Sequence, residues 1–148
     1  MSLILASASP RRKELLRLIT DDFTVLTADV DETVPKDIDI LDAPVYLALK
    51  KAKAVAEKNK KSIIIGADTV VTYLGRILNK PESRNEAVEM ISILQGKHHT
   101  VYTGMTVIYK DKNGNCTQET YADGTDVEFA SMSEQLIEKY VDTGEFSD

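Results

Sequence analysis

The sequence predicts an α/β domain, and three stretches carry that expectation. Leu3-Ile4-Leu5-Ala6 is a short apolar run leading through a serine-rich turn into a helix start at Ser9-Pro10, the strand–turn–helix order of open α/β sheets. Ser62-Ile-Ile-Ile-Gly66 is a second run, apolar enough to be a fully buried strand and bounded by glycine. Between and after these lie helices with recognisable caps, alternating with strand-like segments.

The first helix is expected from Pro10 to about Ile19, because Ser9 can cap a free backbone N–H and a proline at the first helical position has none to satisfy. Phe23 to Thr27 reads as a second strand, and the acidic stretch from Asp29 to Asp42 as irregular. Asp42 and Pro44 suggest the opening of a helix reaching about Lys58, with Pro44, Leu47, Ala48, Ala52 and Val55 as its apolar stripe. Val70 to Tyr73 and Ile77 to Pro81 read as a hairpin, with Lys80 at its exit. Ser83 to Glu86 is a capping box whose helix ends near Gly96 and buries Ala87, Met90, Ile91 and Leu94. His98 to Lys110 is a long strand, turned at Asp111 to Asn115 into a partner that starts at Cys116 and continues through Val127-Glu-Phe-Ala130, with a break at Asp123-Gly124 left open. A last helix opens over Ser131 to Glu134, presents Leu136, Ile137, Tyr140 and Val141, and stops at Gly144.

A chain of 148 residues, 43% hydrophobic and 28% charged, suits one globular domain over residues 1–148, with two small lobes as the open alternative. The net charge of −6 argues against wrapping a nucleic-acid polymer or coating an anionic membrane. Met1 runs straight into a strand-like segment without a charged leader or long apolar stretch, so neither a secretory signal nor a transmembrane helix is expected. The lone Cys116 excludes an internal disulfide and points to a reducing, cytoplasmic setting.

The helix start at Ser9-Pro10 breaks a local rule. Its first turn carries Arg11, Arg12 and Lys13, although the positive end of a helix dipole favours acidic residues. Free N–H groups, the hydroxyls of Ser7 and Ser9 and two guanidiniums make a plausible cradle for a phosphate; solvated surface cations are the plain alternative. Neither a dinucleotide fingerprint nor a Walker loop is present. Lys51 falls inside the apolar stripe of the second helix and reads equally as a snorkelling stem or as a cation aimed into a cleft. Asp68, directly after the isoleucine strand, occupies a position where α/β folds place catalytic or metal-binding carboxylates. With Glu32 it could hold magnesium together with substrate phosphates, whereas Asp29, Asp31 and Glu32 taken alone read as a solvated acidic loop. His98 and His99 are strand neighbours and face opposite ways, so a serine–histidine mechanism lacks support. The combination of phosphate-clamping cations and carboxylates points to metal-assisted hydrolysis of a phosphate ester.

Taken together, Leu5-Ala-Ser-Ala-Ser-Pro-Arg-Arg-Lys-Glu-Leu-Leu16, Asp31-Glu32, Leu47-Ala-Leu-Lys-Lys-Ala52, Gly66-Ala-Asp-Thr-Val-Val71, Asn79-Lys-Pro81 and Leu94-Gln-Gly-Lys-His-His-Thr-Val-Tyr-Thr-Gly104 closely resemble the Maf family of nucleoside triphosphate pyrophosphatases, also called septum formation inhibitor proteins. The resemblance implies a Maf/ITPase-like α/β fold with a long twisted mixed sheet flanked by helices. It further implies hydrolysis of a nucleoside triphosphate to monophosphate and pyrophosphate with Mg or Mn, and usually a homodimer. By motif, Asp68 is implied as the proton acceptor and a metal contact, and Glu32 as a metal or water partner. Lys51, Lys80, Ser7, Ser9, Arg11 and Arg12 are implied around the substrate. Arg11 and Thr69 match the subgroup acting on dTTP and UTP. The family continues past the last helix into a segment with a base-selecting glutamine and closing strands, while this sequence stops at Gly144-Glu-Phe-Ser-Asp148. A 148-residue form is therefore expected to be less stable and weakly active or inactive. A non-catalytic nucleotide-binding regulator of cell division is the second reading, and a surface-basic domain without a nucleotide role the third.

Overall fold

The computed structural model describes residues 1–147 and shows an α/β architecture with a mixed sheet flanked by helices. Six strands, β1 (Ser2–Leu5), β2 (Thr24–Val25), β3 (Ser62–Tyr73), β4 (Arg76–Leu78), β5 (His98–Lys110) and β6 (Cys116–Glu128), accompany four helices. These are α1 (Pro10–Arg17), α2 (Ala43–Glu57), α3 (Arg84–Leu94) and α4 (Glu134–Asp142). The strand order is β2-β1-β3-β5-β6, with β4 paired to β3. The chain packs as two compact units, residues 1–69 with 103–123 and residues 70–102 with 124 onward.

In the first unit, β1 runs parallel to both β2 and β3, with Leu5 opposite Val25 and Ile65. Parallel strands need helical crossovers, and α1 and α2 supply them. Ser9 caps α1 as expected, its hydroxyl accepting from the Arg12 N–H at 3.4 Å. The cap expected of Asp42 is not made; Asp42 is already helical in its dihedrals, and the Asp39 carbonyl accepts from the N–H groups of Asp42 and Ala43 instead. The apolar stripe of α2 is buried as its spacing predicts, with Ala43 and Ala56 added. Two glycines let α2 lie close to the strands. A Cβ on Gly66 would stand 2.5 Å from the Ala48 carbonyl oxygen, and one on Gly104 2.3 Å from the Val45 nitrogen. Ile4, Ala6, Ala52, Val55, Ala56, Ile64 and Ile108 form the core of this unit.

In the second unit, β3 and β4 pair as an antiparallel hairpin with Tyr73 opposite Arg76. Leu74 and Gly75 turn it with φ of 50° and 74°, both positive as a two-residue hairpin loop requires. Ser83 caps α3 at 3.1 Å from the Glu86 N–H, but the Glu86 carboxylate bonds the Glu82 N–H, one residue ahead of the position a capping box would use. Helices α3 and α4 pack through Ala87, Ile91, Ile137 and Val141, whereas Met90 is half-buried and Leu136 largely exposed. Several boundaries differ from expectation: α1 ends at Arg17 rather than near Ile19, and β2 is Thr24–Val25 rather than Phe23 to Thr27. Strand β6 continues through Asp123-Gly124 to Glu128 without a break, and Gly124 sits under the Tyr102 ring, where a Cβ would approach to 2.8 Å. Strand β3 runs on to Tyr73, so Asp68 lies within a strand rather than after one.

Candidate active site

The first unit gathers most of the implied residues in two sets that meet on β3. The first set grows from the β1–α1 turn. Ser7 is 7% exposed, and its hydroxyl accepts from the Ser9 N–H at 3.3 Å and from Arg12 Nη1 at 3.0 Å. Arg12 also donates through Nη1 to the Ala67 carbonyl at 2.9 Å and through Nη2 to Thr69 Oγ1 at 3.1 Å. Its planar fork thus ties the turn to the two residues flanking Asp68. Arg11, Lys13 and Thr69 are solvent-exposed beside it.

The second set is an ion-pair cluster. Lys51 on α2 stands 2.8 Å from Asp68 Oδ1 and 2.5 Å from Glu32 Oε1. Lys51 is thus directed at carboxylates, not at solvent. Burial by itself would depress the Lys51 ammonium; the hydrogen bonds and charges of Asp68 and Glu32 outweigh it and hold the pKa above 10.5. Glu32 is presented by a loop fastened one residue earlier. Lys50 Nζ donates to the Asp31 carbonyl at 2.6 Å, and the Asp31 carboxylate accepts from the Thr33 hydroxyl and N–H at 2.6 and 2.9 Å. Those Thr33 hydrogen bonds hold the Asp31 carboxyl below its usual range. Asp31 shapes the loop; Glu32 reaches the cluster.

Neighbouring residues of a strand project to opposite sides, so Arg12 grips β3 through Thr69 on one side while Lys51 meets Asp68 on the other. Lys80 follows β4 in the second unit and is exposed. Sequence reasoning missed Thr103, whose hydroxyl lies 3.2 Å from that of Thr69. A single threonine in a long strand carries no local signal of the strand it will face.

A profile of Maf-like proteins matches residues 2–148. The chain belongs to the Maf-like family. Among similar Maf-like sequences, a Bacillus cereus protein named dTTP/UTP pyrophosphatase is 46% identical over 97% of this chain and 72% of its own length. A Bacillus anthracis protein of the same name is 47% identical over 94% of this chain and 70% of its own length. In structure, the Maf-like chain is similar to the Ham1 protein of Staphylococcus aureus, at a TM-score of 0.51 and 15% identity over 86% of this chain and 71% of that one. A HAM1 protein from Coxiella burnetii gives 0.50 at 12% identity, over 86% of this chain and 72% of that one. At such identities the likeness is one of fold, and it agrees with the α/β sheet described above.

Among the described residues no three His, Cys, Asp or Glu side chains converge to form a complete metal cage. Glu32 and Asp68 do converge, through Lys51. Two hard carboxylates suit a magnesium-type ion that draws its remaining ligands from water and substrate phosphates. No helix among the described residues is long and apolar enough to cross a membrane.

Proposed function

We propose that this Maf-like chain hydrolyses nucleoside triphosphates, dTTP and UTP among them, to the nucleoside monophosphate and pyrophosphate. The observation that carries the reading is the Lys51-bridged pair of Asp68 and Glu32, with Asp68 on a strand tied by Arg12 to a serine-rich helix start. The names of its Bacillus relatives support the choice of substrate.

In this reading a water attacks the α-phosphorus, a new P–O bond forms and the bond to the bridging oxygen of the β-phosphate breaks. Asp68 accepts the water's proton through Oδ2, since Lys51 engages Oδ1. The ammonium of Lys51 keeps Asp68 and Glu32 close despite their like charges and orients both. The positive end of the α1 dipole favours a phosphate, with the exposed Arg11 alongside, and Ser7 belongs to the same substrate-binding set. A divalent cation, Mg or Mn, would be held by Glu32 and Asp68 and would supply charge neutralisation on the phosphate oxygens.

Asp68→Asn keeps the shape and removes the base. Turnover of dTTP and UTP, followed as pyrophosphate release with magnesium, is expected to fall by at least about 100-fold, since general-base catalysis contributes roughly 100- to 10,000-fold. Nucleotide affinity by calorimetry is expected to survive. Turnover close to that of the unsubstituted protein would remove Asp68 from this role.

A further inference from the structure

We infer that Thr103 is a positioning residue for Asp68, acting through the Thr69–Arg12 brace; this rests on the hydrolytic reading of that site. The two hydroxyls lie 3.2 Å apart, and Thr69 Oγ1 also accepts from Arg12 Nη2 at 3.1 Å. A threonine hydroxyl has one proton and two acceptor positions. With Arg12 donating to Thr69 and the two hydroxyls sharing a proton, the Thr69 rotamer is held from two directions. Remove the Thr103 hydroxyl and, among the described residues, the guanidinium alone holds it.

The consequence falls on Asp68 because of its place in the strand. Arg12 grasps Ala67 and Thr69, the residues on either side of the carboxylate, so the peptide planes flanking Asp68 are set by the brace. On the other side of the strand a single ammonium fixes the carboxylate itself, at 2.8 Å. Strand β5 brings Thr103 to this point with little freedom. The next residue, Gly104, lies so close to α2 that a Cβ would stand 2.4 Å from the Pro44 carbonyl carbon. The backbone at Thr103 cannot move toward the helix, and its hydroxyl is delivered to Thr69 by packing. Displacements well under 1 Å at a general base change the rate more than the affinity, because near-attack geometry is demanding.

Thr103→Val removes the hydroxyl at nearly constant volume, and Thr103→Ser keeps it. The valine variant is expected to lower kcat for dTTP about three- to tenfold, the range of one neutral hydrogen bond, with KM and the thermal midpoint unchanged and the serine variant restoring kcat. In a cycle with Thr69→Val, the double variant is expected to be no slower than Thr69→Val alone. A loss confined to KM, a serine variant as slow as valine, an additive cycle, or an unchanged kcat would each overturn the inference. A second measurement needs no turnover: the Asp68 carboxyl carbon resonance of the substrate-free protein is expected to shift in Thr103→Val, and an unmoved resonance also overturns it. Absence of pyrophosphate release by the unsubstituted protein would instead refute the proposed activity, leaving the resonance to decide the role of Thr103.

Discussion

Lys51 holds Asp68 and Glu32 at 2.8 and 2.5 Å from one ammonium, so a change at this residue acts on both carboxylates together. Lys51→Met retains a similar stem and removes the charge. Pyrophosphate release from dTTP at neutral pH is expected to drop by about 100-fold, the scale seen when one preorganised electrostatic contact is lost; steady-state kinetics with magnesium checks this. His99 tests a different property. It is 6% exposed, its Nδ1 is buried without a hydrogen-bond partner among the described residues, and the Phe129 ring meets it edge-on with centroids 4.8 Å apart. Burial therefore lowers its pKa below 6.5. The unfolded chain takes up the proton at a higher pH than the folded one, so this contribution to stability is complete above pH 6.5 and is lost as pH falls below it. Unfolding free energies measured by urea denaturation from pH 7.5 to 5.5 are expected to fall with a slope that His99→Phe reduces, by at most about 1.4 kcal/mol per pH unit.

At the level of elements, the position of α2 against β3 decides whether Lys51 meets Asp68. That spacing rests on Gly66, where any side chain would collide with the Ala48 carbonyl oxygen at 2.5 Å and the Ala52 Cβ at 2.9 Å. Neither atom is the end of a flexible chain, so the helix must move. Gly66→Ala is expected to cost roughly 1–3 kcal/mol, as overpacking does, and to reduce turnover further by displacing Lys51. Urea unfolding and kinetics on the same sample separate the two effects. The α1 cap is a contrasting case: Ser9 bonds the Arg12 N–H, and that same residue sends its guanidinium to Ser7, Ala67 and Thr69. Helix nucleation and strand bracing thus run through one residue.

For the whole molecule, the two units carry separate cores. Ile64, fully buried, belongs to the first, and Leu94, 1% exposed, packs in the second. Ile64→Ala and Leu94→Ala are each expected to cost about 2–5 kcal/mol, and the double variant is expected to lose the sum to within about 0.5 kcal/mol, because the two residues belong to separate units. Chemical denaturation of the four proteins measures it. With a net charge of −6, positive charge is concentrated locally, in the Arg11-Arg12-Lys13 run of α1.

Local chemistry was enough to place the helix starts at Ser9-Pro10 and Ser83, the apolar stripe of α2, the hairpin between Val70 and Pro81, the strand from His98 to Lys110 and the opposite fates of His98 and His99. Each of these depends on residues a few positions apart, whose preferences outlast any change of surroundings. The motifs likewise pointed to Asp68, Glu32 and Lys51. Whether Lys51 faced solvent or carboxylates was not legible, because a helical stripe states only which face is turned inward, not what lies opposite. The brace of Arg12 to Ala67 and Thr69, the pairing of Thr69 with Thr103, and the continuation of β3 through Asp68 are contacts between residues 34 to 57 positions apart or depend on a neighbouring strand. Only the packing of α2 over Gly66 and Gly104 and the assembly of the sheet bring those groups within hydrogen-bond reach, and so only the tertiary structure decided them.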